Sequence, residues 1–258
     1  MTERSALVGV DTGGTFTDFV VIDGDDIRVH KVLSTPDSPD RAIVQGLREL
    51  GVLDRMHALV HGSTVATNAV LERKGVRAGL ITTSGFRDVL EIGRQTRPKL
   101  YDLRVTREEP LVPRDRRVEV IERLDERGGV MTPLDAESVT RAVQAMVDSG
   151  VRSVAVCLLF SFANPAHEEA VAAAARAAGL HVSASFEVLP EFREYERTST
   201  VVLNAYVGPL MDRYLARLEE ALPDGLPLRI MQSNGGSISA ATARREAART
   251  LLSGPAAG

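Results

Sequence analysis

The sequence contains no tryptophan and a single cysteine, and aromatic residues make up only 4% of its 258 residues. One cysteine, Cys157, cannot form an internal disulfide, and the first residues include an acidic side chain and no long apolar segment. These features argue against a secreted disulfide scaffold and against a membrane span, so we expect a cytoplasmic protein. Cys157 lies in an apolar stretch without a basic neighbour, which predicts a buried structural cysteine.

An excess of positive charge is also absent. Lysine and arginine number 31 against 35 aspartates and glutamates, for a net charge of −4. Binding to a nucleic-acid backbone needs clustered positive charge, so a nucleic-acid partner is not expected. The Walker A, G-x-G-x-x-G and H-E-x-x-H patterns are missing, which disfavours P-loop, dinucleotide-binding and zincin chemistry.

The hydrophobic residues, 44% of the total, are arranged in patterns that predict an α/β fold. Strands are predicted at 6–11, 16–23 and 27–33, followed by a helix at 38–50 and then by alternating strands and helices. We therefore expect a mixed sheet with flanking helices over residues 1–188, with an irregular or short-stranded insertion at 93–130. A long helical pattern at 198–222 predicts the start of a second unit over residues 189–258. The glycine- and proline-rich end indicates a fragment.

The most informative segment runs from the end of the first strand into the first turn. Asp11 ends a buried strand, and Thr12, Gly13, Gly14 and Thr15 follow it. Glycines let backbone N–H groups approach phosphate oxygens, threonine hydroxyls add donors, and a carboxylate can hold Mg²⁺ through its water shell. The same residues also suit an ordinary hairpin turn, and the residues alone leave both interpretations open.

A second candidate cluster lies where the fourth strand meets its helix. His61, Thr64 and Asn68 are predicted to contact a substrate there. The alternative is that Ser63 or Thr64 simply caps the helix.

Two further groups of residues are candidates for substrate binding. Arg94 and Arg97 could supply cations for a carboxylate or phosphate, although polar residues before a proline also suit a solvated loop. Asn234 and Gly235 could form a backbone nest near a ligand or a turn between a strand and a helix.

Several motifs together resemble a known family. DTGGTFTD (11–18) is similar to the phosphate-1 loop of the actin/hexokinase superfamily, whose domains begin with three antiparallel strands and a helix. Further stretches, in the right order, are similar to the hydantoinase A/5-oxoprolinase family, which includes acetone carboxylase subunits: HGSTVATNAVLERKG (61–75), EIGRQTRP (91–98), REYERTSTVVLNAYVGPLMDRYL (193–215), MQSNGG (231–236) and LSGPAAG (252–258). The resemblance covers essentially the whole chain and implies a ribonuclease-H-like, actin/hexokinase-type fold.

The resemblance implies ATP-dependent ring opening of a cyclic amide such as 5-oxoproline or a hydantoin, with ATP and Mg²⁺ as cofactors and a hydantoinase B-type subunit as partner. In that scheme Asp11 binds Mg²⁺ or its water, and Asp18 is a second catalytic carboxylate ranked behind it. The residues expected at the phosphates are Thr12, Gly13, Gly14, Thr15 and Thr17.

Members of the superfamily bind ATP between two related domains, and no second loop of this type is present in the sequence. We therefore expect the chain alone to bind ATP weakly and to turn over little. Two alternatives remain open: an acetone-carboxylase-type subunit that phosphorylates a ketone enolate and bicarbonate, and a non-catalytic module that binds a nucleotide or a partner.

Overall fold

The computed structural model describes residues 5–35, 37–96 and 109–253. The chain forms two compact units, one made of Met1–Gly75 with Val207–Gly258 and the other of Val76–Tyr206. The boundary predicted between residues 188 and 189 follows the order of the sequence and differs from this division. The difference arises because the end of the chain returns to the sheet that the beginning of the chain started.

The elements follow one another in the order that the sequence patterns indicate. Up to residue 75 they are β1 (Ala6–Thr12), β2 (Phe16–Asp23), β3 (Asp26–Leu33), α1 (Pro39–Glu49), β4 (Met56–Ser63) and α2 (Val65–Leu71). The middle of the chain contains β5 (Ala78–Thr83), α3 (Val89–Ile92), β6 (Arg117–Val120), β7 (Arg123–Leu124), β8 (Val130–Thr132), α4 (Ala136–Asp148), β9 (Ser153–Cys157), α5 (Ala166–Ala177), β10 (His181–Ala184) and α6 (Ser185–Val188). The last part contains α7 (Glu194–Ala221), β11 (Leu228–Met231), β12 (Ser237–Ser239) and α8 (Ala240–Arg245).

The first unit is built on a six-stranded mixed sheet with the order β12-β11-β4-β1-β2-β3. Strands β1, β2 and β3 pair antiparallel, as predicted, whereas β4 pairs parallel with β1 and β11 pairs parallel with β4. The carboxyl ends of β1, β4 and β11 therefore meet at one edge of the sheet. Loops at such an edge are the usual place for a ligand in an α/β fold.

The two faces of this sheet differ in their cover. Alternate residues of β1 point to a buried face, where α1 packs so closely that a Cβ on Gly46 would lie 2.2 Å from the Phe19 ring. On the opposite face of β2 and β3, apolar side chains are 41–78% exposed, namely Val20, Ile22, Ile27 and Val29. Both faces of these strands are thus apolar, which explains why their sequence lacks the clean alternation of a half-exposed sheet.

The second unit has its own sheet, with the order β10-β9-β5-β6 and every pair parallel. Helices α4 and α5 pack on it through an aliphatic core that includes Val143, Met146, Val154 and Val171. The mixed α/β architecture with flanking helices is confirmed, but the expectation of one sheet through residue 188 was wrong. Alternating β and α patterns give the order of the elements and do not show which strands pair.

A buried carboxylate holds the carboxyl edge of this second sheet together. Glu168 is fully buried and accepts hydrogen bonds from the backbone N–H groups of Leu158 at 2.7 Å and Phe186 at 3.0 Å. It also accepts one from the Ser185 hydroxyl at 2.9 Å. Burial raises the pKa of Glu168, and these donors oppose the rise. Glu168 thus ties α5 to the residues that follow β9 and β10.

One local prediction, that Cys157 lacks a basic neighbour, needs correction. Cys157 is buried and burial raises its pKa, as predicted for a structural cysteine, but Arg197 Nε lies 3.4 Å from its sulfur. That basic neighbour comes from α7, 40 residues away, and local sequence does not reveal it.

Within the described ranges, no helix has both the length and the hydrophobicity needed to cross a membrane.

Candidate functional site

Hydrogen bonds from Gly13 and Ser34 fix the conformation of the turn after β1. Gly13 N donates to Phe16 O at 3.0 Å, which closes the turn between β1 and β2. Ser34, which follows β3, donates from its N–H to Thr15 O at 2.9 Å and from its hydroxyl to Gly13 O at 2.9 Å. Three strands therefore contribute to the conformation of one turn.

The surrounding chain explains why one of the two glycines of this turn is a glycine, but not the other. Neither Gly13 nor Gly14 has a left-handed φ angle. A Cβ on Gly13 would lie 3.2 Å from Phe16 O, whereas a Cβ on Gly14 would meet nothing within 4 Å. Packing therefore accounts for glycine at 13 and leaves Gly14 unexplained, and a surface that a ligand approaches closely would explain it.

Two polar atoms beside the turn have no partner. Asp11 Oδ1 and Thr12 Oγ1 are buried and lack a hydrogen bond to any residue in the described ranges. Burial raises the pKa of Asp11, and the nearby Asp18 carboxylate raises it further. Buried acceptors without partners are uncommon in folded proteins and point to a ligand or ion that completes them.

Asp18 and Thr17 occupy different surroundings from Asp11, although β2 places Asp18 directly opposite Asp11. Asp18 is half-exposed and forms an ion pair with Lys31 Nζ at 2.8 Å. Thr17 is fully buried, and its hydroxyl lies 3.0 Å from the Ser34 hydroxyl. The buried Thr17 side chain thus stabilises the turn through Ser34, whereas the Thr15 side chain is exposed at the surface of the turn.

The donor set around Asp11 fits Mg²⁺. The described residues contain no cluster of three or more histidine, cysteine or acidic side chains that could hold a metal alone. Magnesium usually takes only one or two carboxylates and completes its shell with water and substrate phosphates. Asp11, with its unpartnered oxygen beside a glycine turn, can supply that carboxylate.

Thr64 and Asn68, at the start of α2, stabilise the turn after β1 through hydrogen bonds. Thr64 donates to Thr12 O from its N–H at 3.1 Å and from its hydroxyl at 3.0 Å. Asn68 Nδ2 donates to the Thr64 hydroxyl at 3.3 Å. Thr64 occupies the N-cap position without a side-chain cap bond, so its hydroxyl serves the turn rather than the helix.

His61 does not face a substrate, which corrects the role predicted for it. The residue is fully buried on β4, where Nδ1 lies 3.3 Å from Val10 O and Nε2 lies 2.6 Å from the Tyr214 hydroxyl. Burial lowers the pKa of His61 to about 4. A neutral imidazole enclosed in this way can orient its neighbours but cannot reach a ligand.

Asn234 and Gly235 form the turn between β11 and β12. Gly235 has a φ of +83°, its N–H donates to Gln232 O at 3.1 Å, and Asn234 Oδ1 accepts from Gly236 N at 3.0 Å. Because β11 runs parallel to β4, this exposed turn lies at the same edge of the sheet as the turn after β1. The amide oxygen of Asn234 is used within its own turn, and a substrate contact there remains a prediction.

Of the two predicted arginines, the structure describes Arg94. Arg94 belongs to the second unit, where its Nε lies 2.5 Å from Glu196 Oε1. Arg97 lies outside the described residues. A substrate role for either arginine remains a prediction.

Sequence reasoning missed Ser34, Tyr214 and Ser253. The Ser253 hydroxyl donates to Ser63 O at 3.0 Å and so fixes the end of β4. Ser34 could have been found, because pairing β3 with β2 places the residue after Leu33 next to Thr15. Tyr214 follows the apolar period of a helix and gives no signal of a polar role.

Family models and solved structures match the whole of this arrangement. Residues 7–179 match the model of the hydantoinase/oxoprolinase N-terminal region, and residues 197–258 match the hydantoinase/oxoprolinase model. The caprolactamase alpha subunit of Pseudomonas jessenii is 37% identical over 99% of this chain and 39% of its own length. The 5-oxoprolinase 1 of Arabidopsis thaliana is 34% identical over 96% of this chain and 22% of its own length.

Solved structures agree with these matches. The chain superposes on the ATP-dependent caprolactamase from Pseudomonas jessenii with a TM-score of 0.86 and 36% identity, covering 97% of this chain and 39% of that one. It superposes on nucleotide-free acetone carboxylase, an enzyme of ATP-dependent acetone carboxylation, with a TM-score of 0.86 and 29% identity over 98% of this chain and 39% of that one. The chain spans about two fifths or less of the length of these relatives, and it belongs to the hydantoinase/oxoprolinase family.

Proposed function

We propose that this chain supplies the phosphate-binding turn of an ATP-dependent enzyme that opens a cyclic amide such as 5-oxoproline or a hydantoin. The observation that carries the proposal is the buried Oδ1 of Asp11, which has no hydrogen-bond partner among the described residues, beside the open Gly14. The family, which includes an ATP-dependent caprolactamase and a 5-oxoprolinase, supports the class of reaction.

The chemistry explains why ATP is needed. Resonance makes an amide carbonyl a poor electrophile, and transfer of the γ-phosphoryl group to the carbonyl oxygen would turn that oxygen into part of a good leaving group. Such a transfer depends mainly on positioning and on neutralising charge at the phosphates. When bound, Mg²⁺ supplies that positive charge.

The chain's own residues contribute positioning and hydrogen-bond donors. Asp11 would hold Mg²⁺ directly or through its water, and the exposed turn at Gly14 and Thr15 presents backbone N–H groups and a hydroxyl to phosphate oxygens. Asp18 is a weaker candidate for a catalytic carboxylate, because Lys31 already neutralises it.

A second subunit of the hydantoinase B type and a cytoplasmic location complete the proposal. Relatives named as subunits, such as the caprolactamase alpha subunit and the acetophenone carboxylase gamma subunit, support an assembly of more than one chain. The single cysteine is consistent with a reducing compartment.

A carboxylase-type reaction is the second candidate. The gamma subunit of acetophenone carboxylase from Aromatoleum aromaticum is 34% identical over the full chain and 39% of its own length. The likeness to acetone carboxylase favours the same alternative. In that reaction a ketone enolate and bicarbonate replace the cyclic amide, and the turn after β1 keeps the same role.

The first test is binding of Mg–ATP by titration calorimetry, with Asp11→Asn as the inactive variant and Asp26→Asn as the matched control. Asp26 is an exposed carboxylate on β3, in the same sheet, and is paired with Arg28 at 3.5 Å. We expect weak binding that Asp11→Asn abolishes and Asp26→Asn leaves unchanged. Absence of binding by the unaltered chain, or equal binding by all three proteins, would overturn the proposal.

The second test is ATP consumption with 5-oxoproline, a hydantoin, or acetone plus bicarbonate supplied in turn. Stimulation by a cyclic amide supports the leading proposal, and stimulation by the ketone supports the second candidate. We expect little turnover from the chain alone, so a kcat within the ordinary enzyme range of roughly 1–10³ s⁻¹ would refute the need for a second nucleotide-binding domain. Binding without any turnover alongside a partner subunit would favour a non-catalytic module.

A further inference from the structure

A buried pair of side chains lies beside Val10, the residue before Asp11. His61 stands beside Val10 in the parallel β1–β4 register, and Tyr214 reaches it from α7. Both are buried, with exposures of 0% and 2%, and their rings meet edge to face with centroids 5.8 Å apart. The proposed ATP chemistry assigns no role to either residue.

The hydrogen bonds determine which nitrogen of His61 carries the proton. Val10 O is a carbonyl and can only accept, so Nδ1 must be the protonated nitrogen that donates to it at 3.3 Å. Nε2 then has no proton and accepts from the Tyr214 hydroxyl at 2.6 Å. The Val10 carbonyl thus sets the tautomer of His61, and the Tyr214 hydroxyl donates to the nitrogen that carries no proton.

The carbonyl that His61 binds belongs to the peptide group between Val10 and Asp11. Fixing this peptide group fixes the backbone from which the Asp11 side chain departs. On the other side, Thr64 holds the carbonyl of Thr12 with two hydrogen bonds. The peptide groups before and after Asp11–Thr12 are thus both anchored by the end of β4 and the start of α2.

We infer that His61, held between Val10 O and the Tyr214 hydroxyl, is a positioning residue that orients the carboxylate of Asp11 toward the phosphate-binding turn. The inference rests on the proposed function for its consequence, because the orientation matters only if Asp11 meets Mg–ATP. The arrangement itself stands on the two hydrogen bonds and the burial of the pair.

A matched pair of substitutions at His61 separates positioning from packing. In His61→Asn the side-chain amide nitrogen takes the place of Nδ1 and can still donate to Val10 O. In His61→Gln the amide reaches instead toward Nε2 and Tyr214, and the bond to Val10 is lost. Both variants bury one amide in place of one imidazole, so their unfolding temperatures serve as a check that packing has changed equally.

Two readouts are needed, one of them independent of any ligand. We expect the ¹³C shift of the Val10 carbonyl to stay near its original value in His61→Asn and to move in His61→Gln. Mg–ATP affinity is expected to be about fivefold weaker in His61→Gln than in His61→Asn, as for the loss of one net hydrogen bond. In the unaltered protein, the ¹⁵N shifts of the imidazole should show the proton on Nδ1.

The outcomes are decisive in either direction. Equal loss of affinity in the Asn and Gln variants, with an equal fall in unfolding temperature, would show a merely structural role and overturn the inference. Imidazole ¹⁵N shifts that place the proton on Nε2 in the unaltered protein would overturn the bond from Nδ1 to Val10 O. If the unaltered chain binds no Mg–ATP, the proposed function fails, and the Val10 carbonyl shift alone then decides whether His61 orients this peptide group.

Discussion

Replacing Asp11 with asparagine should make the protein more stable while abolishing its binding of Mg–ATP. In the folded chain Oδ1 of Asp11 is buried without a hydrogen-bond partner in the described ranges, and burial together with Asp18 raises its pKa. Asparagine keeps a polar side chain at this position but carries no charge, so the substitution removes only the penalty that burial and Asp18 place on the ionised carboxylate. Because Asp11 is only partly buried, we expect this to stabilise the fold by on the order of 1 kcal/mol.

The dependence on pH follows from the direction of the pKa shift. A folded pKa above the ordinary value of 3.8 means that the native state holds the Asp11 proton more tightly than the unfolded state. Ionisation therefore disfavours the folded state as pH rises through the raised pKa. The advantage of Asp11→Asn should be full at neutral pH and should shrink as pH falls toward the ordinary value, where both proteins are neutral at this position.

Thermal unfolding without nucleotide measures this effect. We expect the midpoint of Asp11→Asn to lie about 2–4 °C above that of the unaltered chain at pH 7, with a smaller difference at pH 5. Asp26→Asn removes an exposed carboxylate and its ion pair with Arg28. Because a surface ion pair contributes little to stability, the unfolding midpoint of this variant should stay close to that of the unaltered chain. A midpoint that falls in Asp11→Asn, or a gap that widens in acid, would refute the reasoning.

Three further substitutions test other parts of the structure. Gly14→Ala should leave the unfolding temperature unchanged, because the added Cβ meets nothing within 4 Å. It should weaken Mg–ATP binding at least about tenfold in calorimetry, because the methyl group would lie where phosphate approaches, and unchanged affinity would contradict this. Gly46→Ala should do the opposite, destabilising by about 1–3 kcal/mol in urea unfolding because its Cβ overlaps the Phe19 ring, with binding retained in the folded fraction. Glu168→Ala should lower the stability of the second unit by at least about 3 kcal/mol, because it leaves the N–H of Leu158 and two other buried donors without an acceptor. Protection of the Leu158 amide from hydrogen exchange should fall as well, and unaltered protection would count against the prediction.

Much of the fold could be predicted from sequence because it depends on local patterns. The three-strand start, α1 and the strand-to-helix step at Ser63 follow from apolar runs interrupted by glycine, proline and small polar residues. Strand pairing could not be predicted in the same way. Nothing local distinguishes β5, which begins a new parallel sheet, from a continuation of the first sheet, and β11 joins β4 from more than 160 residues away.

The residues of the candidate site also differ in whether the local sequence could identify them. Asp11 and Gly14 were selected from adjacent residues alone, and their role at a phosphate stays a prediction. His61 was assigned to the substrate mostly because its stretch resembles the family, and only the structure shows that its side chain is buried. Tyr214 could not be predicted at all, since its partner lies 153 residues away.

The turn after β1 shows how the chain separates its supporting bonds from its binding atoms. The carbonyls of Val10, Thr12 and Gly13 are each held by a side chain from a neighbouring element: His61, Thr64 and Ser34, respectively. Asp11 Oδ1 and Thr12 Oγ1, in contrast, remain without partners in the described ranges. A turn that needed only to reverse the chain would gain stability by satisfying or removing these two oxygens. Their retention beside a rigidly held backbone is what a preorganised site requires, because groups fixed before the ligand arrives lose no further freedom when it binds.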